Sequence, residues 1–442
     1  MTLACFMWLN APRVWGAEPV VEVFTQNERL SSGGVGGEGG SSSGGGAGSG
    51  GISATTDSEK TKRHSSLPVL ITFGVHAGYD SNSRTTANSS GSLFTDEQLT
   101  LAYDRTRGPM DLHILSGAGL VERFGLKTDI NAFLDLSLTY LASRRLTLKL
   151  NIDPAYRAEP DFASDVGTTG RAGNYFTMND GVSAAYQWSR RFSTVNSYSL
   201  RIIRFEDSFI AALTDREEHT FAEEFRFDLF RRTALVGDYR FLVVNYDSFP
   251  RDSITHFALA GAEQSFSSRL KAQLRAGASF RSIEQAEYQV NPDFEGSLDY
   301  ALGRDSSLSL TTRYSVEEAA AGLQSSVSGS TLGRTTFRTG LLFHYSFTSK
   351  ISSSIGLNYH HDDNQSVTPV TGDTVIPPTP ALSTDAYEFL LSLRYQISRH
   401  IDFDIGFQHT EVNTSGQAQQ NLFGQALQYS RNRYSLGLNF SF

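Results

Sequence analysis

The sequence predicts an all-β fold: a single transmembrane antiparallel up-and-down β-barrel of about 18 strands, preceded by a disordered N-terminal extension. Three observations predict it. Segments of about ten residues alternate between apolar and polar side chains, short connections alternate with long ones, and the chain ends in an aromatic strand. The 30 Phe and 18 Tyr against 4 Met also favour sheet. The most strongly apolar run past the N-terminus is the short segment Phe241 to Val244, which excludes a helical membrane protein.

The first 67 residues are expected to lie outside the barrel. Residues 1–17 are apolar and end in Gly16 and Ala17, so we interpret them as a signal segment or its remnant, although no basic residue precedes the apolar stretch. The single cysteine, Cys5, lies there, so a processed chain would have no disulfide and no thiolate metal ligand. Residues 18–67 include a long Gly/Ser tract and are predicted to form a disordered tether.

Residues 68–442 are predicted to form the barrel, because they contain repeated segments with one apolar and one polar face. The alternating template fits about 18 segments, with 16 to 20 allowed, and an even count would leave both chain ends in the periplasm. In the clearest segments the apolar face, predicted to contact lipid, consists of Phe389, Leu391, Leu393, Ile401, Phe403 and Ile405.

The connections predict which end of the barrel faces the periplasm. Short turns such as 142–145, 189–191 and 398–400 alternate with long polar connections such as 156–178 and 361–385. Short periplasmic turns and long extracellular loops are typical of outer-membrane barrels. The long connections are long enough to fold into the lumen and narrow it.

The polar face of the strands is predicted to line the lumen, with acids and bases interspersed. Opposite charges at similar depth cancel much of the field along a pore, so this lining predicts weak ion selectivity. Among aromatic residues, Phe133 is nearly alone on this predicted face. The candidate lumen residues are Asp135, Glu224, Arg226, Asp228, Arg240, Glu388, Arg394, Asp402 and Asp404.

The C-terminal strand is similar to the β-signal that the barrel-assembly machinery reads, because an unpaired strand edge can pair with another sheet before closure. The residues that carry this similarity are Tyr434, Ser435, Gly437, Phe440 and Phe442.

Residues 70–442 resemble the β-barrel porins encoded beside exopolysaccharide gene clusters in Gram-negative bacteria. The resemblance rests on the segment Phe73 to Asn82, on turns of the form Tyr-x-x-Ser-Arg-Arg/His such as those that begin at Tyr140, Tyr186 and Tyr395, and on the chain end. It implies a Gram-negative outer-membrane location and a part in polysaccharide export. The expected partners are outer-membrane lipid, the barrel-assembly machinery and components of polysaccharide export.

Other function classes receive less support. A net charge of -9 argues against nucleic acid as a partner. We assign no catalytic residue, cofactor or metal ligand, and interpret His360 to Asp363 as a solvated loop end rather than a cation site. Three hypotheses stay open: a general or export-associated pore, which we favour, a plugged structural or surface-binding barrel, and, least favoured, a barrel enzyme.

Overall fold

The computed structural model describes residues 69–86, 89–158, 173–248, 252–283, 288–303, 306–317, 331–366, 370–371, 374–375, 382–415 and 428–442. These residues form one closed sheet of 18 antiparallel strands, which confirms the predicted fold and strand number. The expected signal segment 1–17 and the expected tether 18–67 lie outside the described residues. Within the described part of the chain, no helix is long and apolar enough to cross a bilayer.

The barrel strands are β1 (Val69–Asp80), β2 (Ser92–Arg107), β3 (Met110–Arg123), β4 (Asp129–Leu141), β5 (Leu146–Arg157), β6 (Tyr175–Gln187), β7 (Phe192–Phe205), β8 (Arg216–Phe230), β9 (Thr233–Tyr246), β10 (Ser253–Ser265), β11 (Leu270–Ile283), β12 (Gln289–Ala301), β13 (Ser307–Glu317), β14 (Thr331–Thr348), β15 (Ile351–Ser366), β16 (Leu382–Gln396), β17 (Ile401–Ser415) and β18 (Tyr429–Ser441).

Each strand pairs with its neighbour in sequence, and β18 pairs with β1 to close the sheet. The connection between β7 and β8 contains the short helix α1 (Ser208–Thr214), whose first backbone N–H groups donate to the Asp207 carboxylate. The connection between β15 and β16 contains a two-stranded ribbon of Val370–Thr371 and Thr374–Val375.

The hydroxyl residue repeated in the short turns has a structural role. The Ser143 Oγ accepts hydrogen bonds from the backbone N–H groups two and three residues later, at 3.2 and 3.0 Å. The same pair of bonds forms at Ser189, Ser267 and Thr348. A side chain that satisfies two turn N–H groups stabilises a tight reversal between two strands. This accounts for the Ser/Thr that recurs in the sequence between strand pairs.

The two faces of the sheet differ as a membrane barrel requires. On β9, Leu235 and Tyr239 are 44% and 45% exposed, whereas Asp238 and Arg240 between and beside them are buried. The side chains predicted to contact lipid include Leu391, which is also exposed. Exposed apolar side chains therefore point outwards and buried polar ones inwards, the pattern of a barrel with a lipid-facing outer wall and a polar lumen.

Candidate functional site

The inner wall of the barrel carries ion pairs between strands that are not neighbours. The Arg275 guanidinium on β11 lies 2.7 Å from the Glu224 carboxylate on β8. The Arg240 guanidinium on β9 donates two bonds to Glu295 on β12, at 2.7 and 2.9 Å. Side chains three strands apart can meet only across the concave face of a curved sheet. The lumen is therefore the surface on which the charged residues of this protein converge.

A central cluster joins these pairs. Asp238 lies between Arg240, at 2.5 Å, and Arg275, at 3.2 Å. Glu224 and Arg275 have almost no solvent exposure. Removing a charge from water is costly unless it is paired and hydrogen-bonded, so these side chains stabilise one another in a fixed arrangement.

A second cluster lies towards the long-loop end. Arg334 contacts Asp362 at 2.6 Å and Glu317 at 3.2 Å. His360 contacts the same Asp362 at 2.5 Å, and both side chains are buried within β15. The interpretation of His360 to Asp363 as a solvated loop end is therefore wrong, because the strand continues past the apolar segment that marked it in the sequence.

A third cluster lies at the closing seam between β1 and β18. The Arg431 guanidinium donates to both carboxylate oxygens of Asp80, with contacts of 2.5 to 3.1 Å. Further down the seam, His76 lies 3.1 Å from Asp404, which also accepts a hydrogen bond from Asn439. The seam is thus held by side chains as well as by the backbone ladder.

The structure places all nine candidate lumen residues on inward-facing strand positions. Glu224, Arg240 and Asp402 are buried, and the other six are half-buried or paired at the lumen surface. It also brings several of them together. Arg226 contacts Asp228 at 3.2 Å and also contacts Glu263. Arg394 contacts Asp402 at 2.6 Å. The Glu388 carboxylate accepts hydrogen bonds from Asn358 at 2.8 Å and from Gln408 at 2.7 Å.

The candidate assembly-signal residues lie along the closing strand. Tyr434 and Phe442 are exposed on the barrel surface. Ser435 and Phe440 pair with Gly78 and Phe73 of β1. Gly437 is opposite His76, and the terminal Phe442 exchanges backbone hydrogen bonds with Ile71 at 2.9 and 3.3 Å.

Sequence reasoning missed several inward residues near the strand ends and several inward aromatics. Arg216, Arg281 and Arg334 are among the largest fully buried side chains, and Phe94 and Phe257 also face the interior. The signal that could have found them is the strict alternation of faces, continued past the apolar part of each strand.

The inner wall formed by β3 to β6 carries charged and uncharged polar side chains, among them the paired Arg123 and Asp129. Its inward residues include Asp135, Ser137, Lys149, Asn151 and Asn179, and all of them are half-buried. Within the described ranges, no group of three or more His, Cys, Asp or Glu side chains could hold a metal ion. These five inward side chains are more exposed than Glu224, Arg240 and Arg275 on the wall formed by β8 to β12.

Comparison with known proteins gives matches among solved structures alone: no protein-family model and no curated protein matches the chain. OccK5 of Pseudomonas aeruginosa is 10% identical with a TM-score of 0.40, over 85% of this chain and 98% of that one. OccK2 of the same organism, in complex with glucuronate, is 8% identical with a TM-score of 0.42, over 85% and 98%. A variant of the ferric enterobactin receptor PfeA is 9% identical with a TM-score of 0.41, over 86% and 81%.

The architecture itself defines the location of the chain. A closed sheet leaves no unpaired strand edge in the bilayer, and many large apolar side chains are exposed on its outer wall. The described residues form an integral β-barrel of the outer membrane of a Gram-negative bacterium.

Proposed function

We propose that the barrel is a pore for small hydrophilic solutes, with little preference between cations and anions. The observation that carries this proposal is the inner wall, where guanidinium and carboxylate groups form ion pairs around the lumen, as between Arg240 and Glu295. A structural barrel needs no charged interior, whereas a water-filled lumen accommodates one.

The size of the barrel supports an aqueous path. Strands about 4.8 Å apart and tilted by about 40° give an 18-stranded backbone cylinder about 36 Å across. Barrels of 16 to 18 strands generally leave a channel inside their side chains. The half-buried polar wall of β3 to β6 is the side on which we place the conducting path.

Pairing of the charges supports weak selectivity. Asp238 lies within contact distance of both Arg240 and Arg275, so the fields of these groups cancel over a few ångströms. A passing ion far from the wall experiences little net potential. A channel that selects by charge would instead present an excess of one sign.

The test is electrical recording of the purified full-length protein in a planar lipid bilayer. We expect ion conductance, and a reversal potential close to zero across a KCl gradient. Deleting residues 160–171, between β5 and β6, should raise the conductance if this long connection narrows the lumen. If neither the full-length protein nor the deletion variant conducts, the pore proposal fails and a plugged surface-binding barrel replaces it.

We further propose that the pore takes part in polysaccharide export. This part rests on the resemblance of the segment Phe73 to Asn82 and of the Ser-containing turns to porins of exopolysaccharide gene clusters. In a strain that lacks the gene, secreted polysaccharide should fall and periplasmic polysaccharide should rise. Unchanged secretion would remove the export role and leave a general pore.

A further inference from the structure

The short turns at one end of the barrel are basic. Seven of the eight lie fully within the described residues, at 108–109, 142–145, 188–191, 231–232, 266–269, 349–350 and 397–400. Three of them contain two adjacent arginines, as at Arg190 and Arg191, three contain one lysine or arginine, as at Arg269, and none contains an aspartate or glutamate. In the sequence, the eighth turn, 302–306, has one arginine and one aspartate. The lysine and arginine residues of the seven described turns form a surface that we call the basic rim.

The charges of the basic rim are not balanced in the way that those of the inner wall are. Six exposed cations of the rim make no ion pair with the described residues: Arg145, Arg190, Arg191, Arg231, Arg269 and Lys350. On the inner wall, by contrast, Arg240, Arg275 and Arg334 each contact two carboxylates. A chain with a net charge of -9 therefore keeps a positive surface at its short turns.

The carboxylates closest to the basic rim do not neutralise it. Five of them lie within two residues of a strand end on this side, and all five occupy inward strand positions, where each is bonded to a neighbouring side chain. They are Asp111 with Thr106, Asp228 and Glu263 with Arg226, Asp299 with Ser309, and Asp402 with Arg394. The outward positions next to the described turns carry no acid. The side of the rim that faces the membrane is therefore positive.

Aromatic side chains place the basic rim at the surface of the bilayer. An exposed aromatic residue lies one to four positions before the first or only cation of six described turns. These residues are Tyr140, Trp188, Phe230, Phe266, Phe347 and Tyr395. Aromatic girdles of membrane barrels lie at the level of the lipid head groups. A lysine or arginine just beyond the girdle extends its charged end into the head-group layer while its stem stays against apolar surface.

The turn geometry leaves these cations available for an external ligand. The Ser189 Oγ accepts hydrogen bonds from the backbone N–H groups of Arg191 and Phe192 at 3.3 and 3.1 Å, so the turn is stabilised without the arginine side chains. A guanidinium group can donate two parallel hydrogen bonds to a phosphate. A lipid with net negative charge also gains from the field of the whole rim, whereas the amine of a zwitterionic head group offsets its own phosphate.

We propose that the basic rim binds the phosphate groups of anionic phospholipids in the periplasmic leaflet of the outer membrane, the side that the short turns are predicted to face. Adjacent turns present their cations side by side around the barrel, so the rim holds a ring of such lipids rather than one molecule. The proposal does not depend on conduction, because the outer side of the turns contacts lipid whether the lumen is open or closed.

Trp188 provides a probe within the basic rim. Its side chain is 58% exposed, and its Nε1 donates to the Thr194 hydroxyl at 2.9 Å, next to Arg190 and Arg191. The chain has three tryptophans, so Trp8→Phe and Trp15→Phe leave Trp188 as the sole one in the full-length protein. This parent chain is folded into mixed vesicles of phosphatidylcholine and phosphatidylglycerol, in which one lipid at a time carries brominated acyl chains that quench tryptophan fluorescence on contact.

The relative quenching by the two brominated lipids measures their relative affinity for the surface around Trp188. We expect phosphatidylglycerol to be preferred by about threefold or more at low ionic strength. The preference should disappear in about 1 M NaCl, where charges are screened within a few ångströms.

The double variant Arg190→Gln with Arg191→Gln should lose the preference. The matched control is Lys350→Gln with Arg399→Gln, which removes the same charge from turns about half-way round the 18-stranded sheet and should keep it. Gel mobility of unheated samples checks that each variant is folded. Equal quenching by the two lipids in the parent, an unchanged preference in the Arg190 and Arg191 variant, or the same loss in the control would overturn the proposal. Binding of polygalacturonate by a parent chain that shows no lipid preference would also overturn it and assign the rim to an acidic polymer.

Discussion

The closing seam makes a sharp prediction about Gly437 on β18. His76 of β1 lies opposite this glycine, and a Cβ atom added there would overlap the Cδ2 and Nε2 atoms of the imidazole ring. The same Nε2 lies 3.1 Å from the Asp404 carboxylate. The substitution Gly437→Ala therefore forces the ring to move and weakens its contact with Asp404.

The expected cost follows from two contributions. Overpacking a fitted interior position costs about 1–3 kcal/mol, and a hydrogen bond to a charged group contributes about 1.5–3 kcal/mol. We expect Gly437→Ala to lower the free energy of unfolding by about 2–4 kcal/mol, since part of the ring's contact survives its movement. In a His76→Ala background the obstacle is gone, and the same substitution should cost less than about 0.5 kcal/mol.

The measurement is a double-mutant cycle by urea titration of the barrel folded into lipid vesicles, with gel mobility of unheated samples as a check on folding. The control is Gly237→Ala on β9, where an added Cβ meets nothing within 4 Å. That change should be nearly neutral, because alanine restricts the unfolded chain without a clash. If Gly437→Ala costs the same with and without His76, the steric account of this glycine is refuted.

Three further predictions use the same unfolding assay. Leu391→Arg should cost roughly 2–4 kcal/mol near the bilayer midplane, and Ser392→Arg, on the lumen side, should be tolerated; equal effects of the two changes would show that this assignment of faces is wrong. Glu295→Ala removes two hydrogen bonds from the buried Arg240, which keeps its contact with Asp238, so the change should cost about 1.5–3 kcal/mol, and a loss under about 1 kcal/mol would mean that water takes the place of the carboxylate. Glu223 lies on the outer face in the middle of β8, so Glu223→Leu should stabilise the barrel by about 1–2 kcal/mol, whereas destabilisation would show that the carboxylate does not face the lipid tails.

The fold could be predicted from the sequence because each strand must present one face to lipid and one to water. The strand ends could not be predicted as well. β15 was expected to end near residue 360, yet it continues to Ser366, and its last residues are polar. Beyond the apolar band, outward side chains need not be apolar, so the alternation disappears while backbone pairing continues. The buried pair of His360 and Asp362 lies in such an extension.

Inward positions could be predicted one at a time, but not their partners. Arg275 and Glu224 are 51 residues apart in the chain and three strands apart in the sheet. Their contact depends on the curvature of the closed barrel, which no local pattern encodes. On strand β10, hydrophobicity alone would assign the two faces wrongly, because Phe257 points inwards while His256 points outwards. There, only the pairing register assigns the faces.

The ion pairs along the inner wall join strands that are not neighbours, which the hydrogen bonds of the backbone ladder do not do. Hydrogen bonds of the sheet join neighbouring strands, whereas the pair of Arg240 and Glu295 joins β9 to β12. Such pairs fix side chains that would otherwise extend into water, and they cancel charge along the inner wall. If the barrel is a pore, we therefore expect its lumen to conduct with little regard to the sign of the ion.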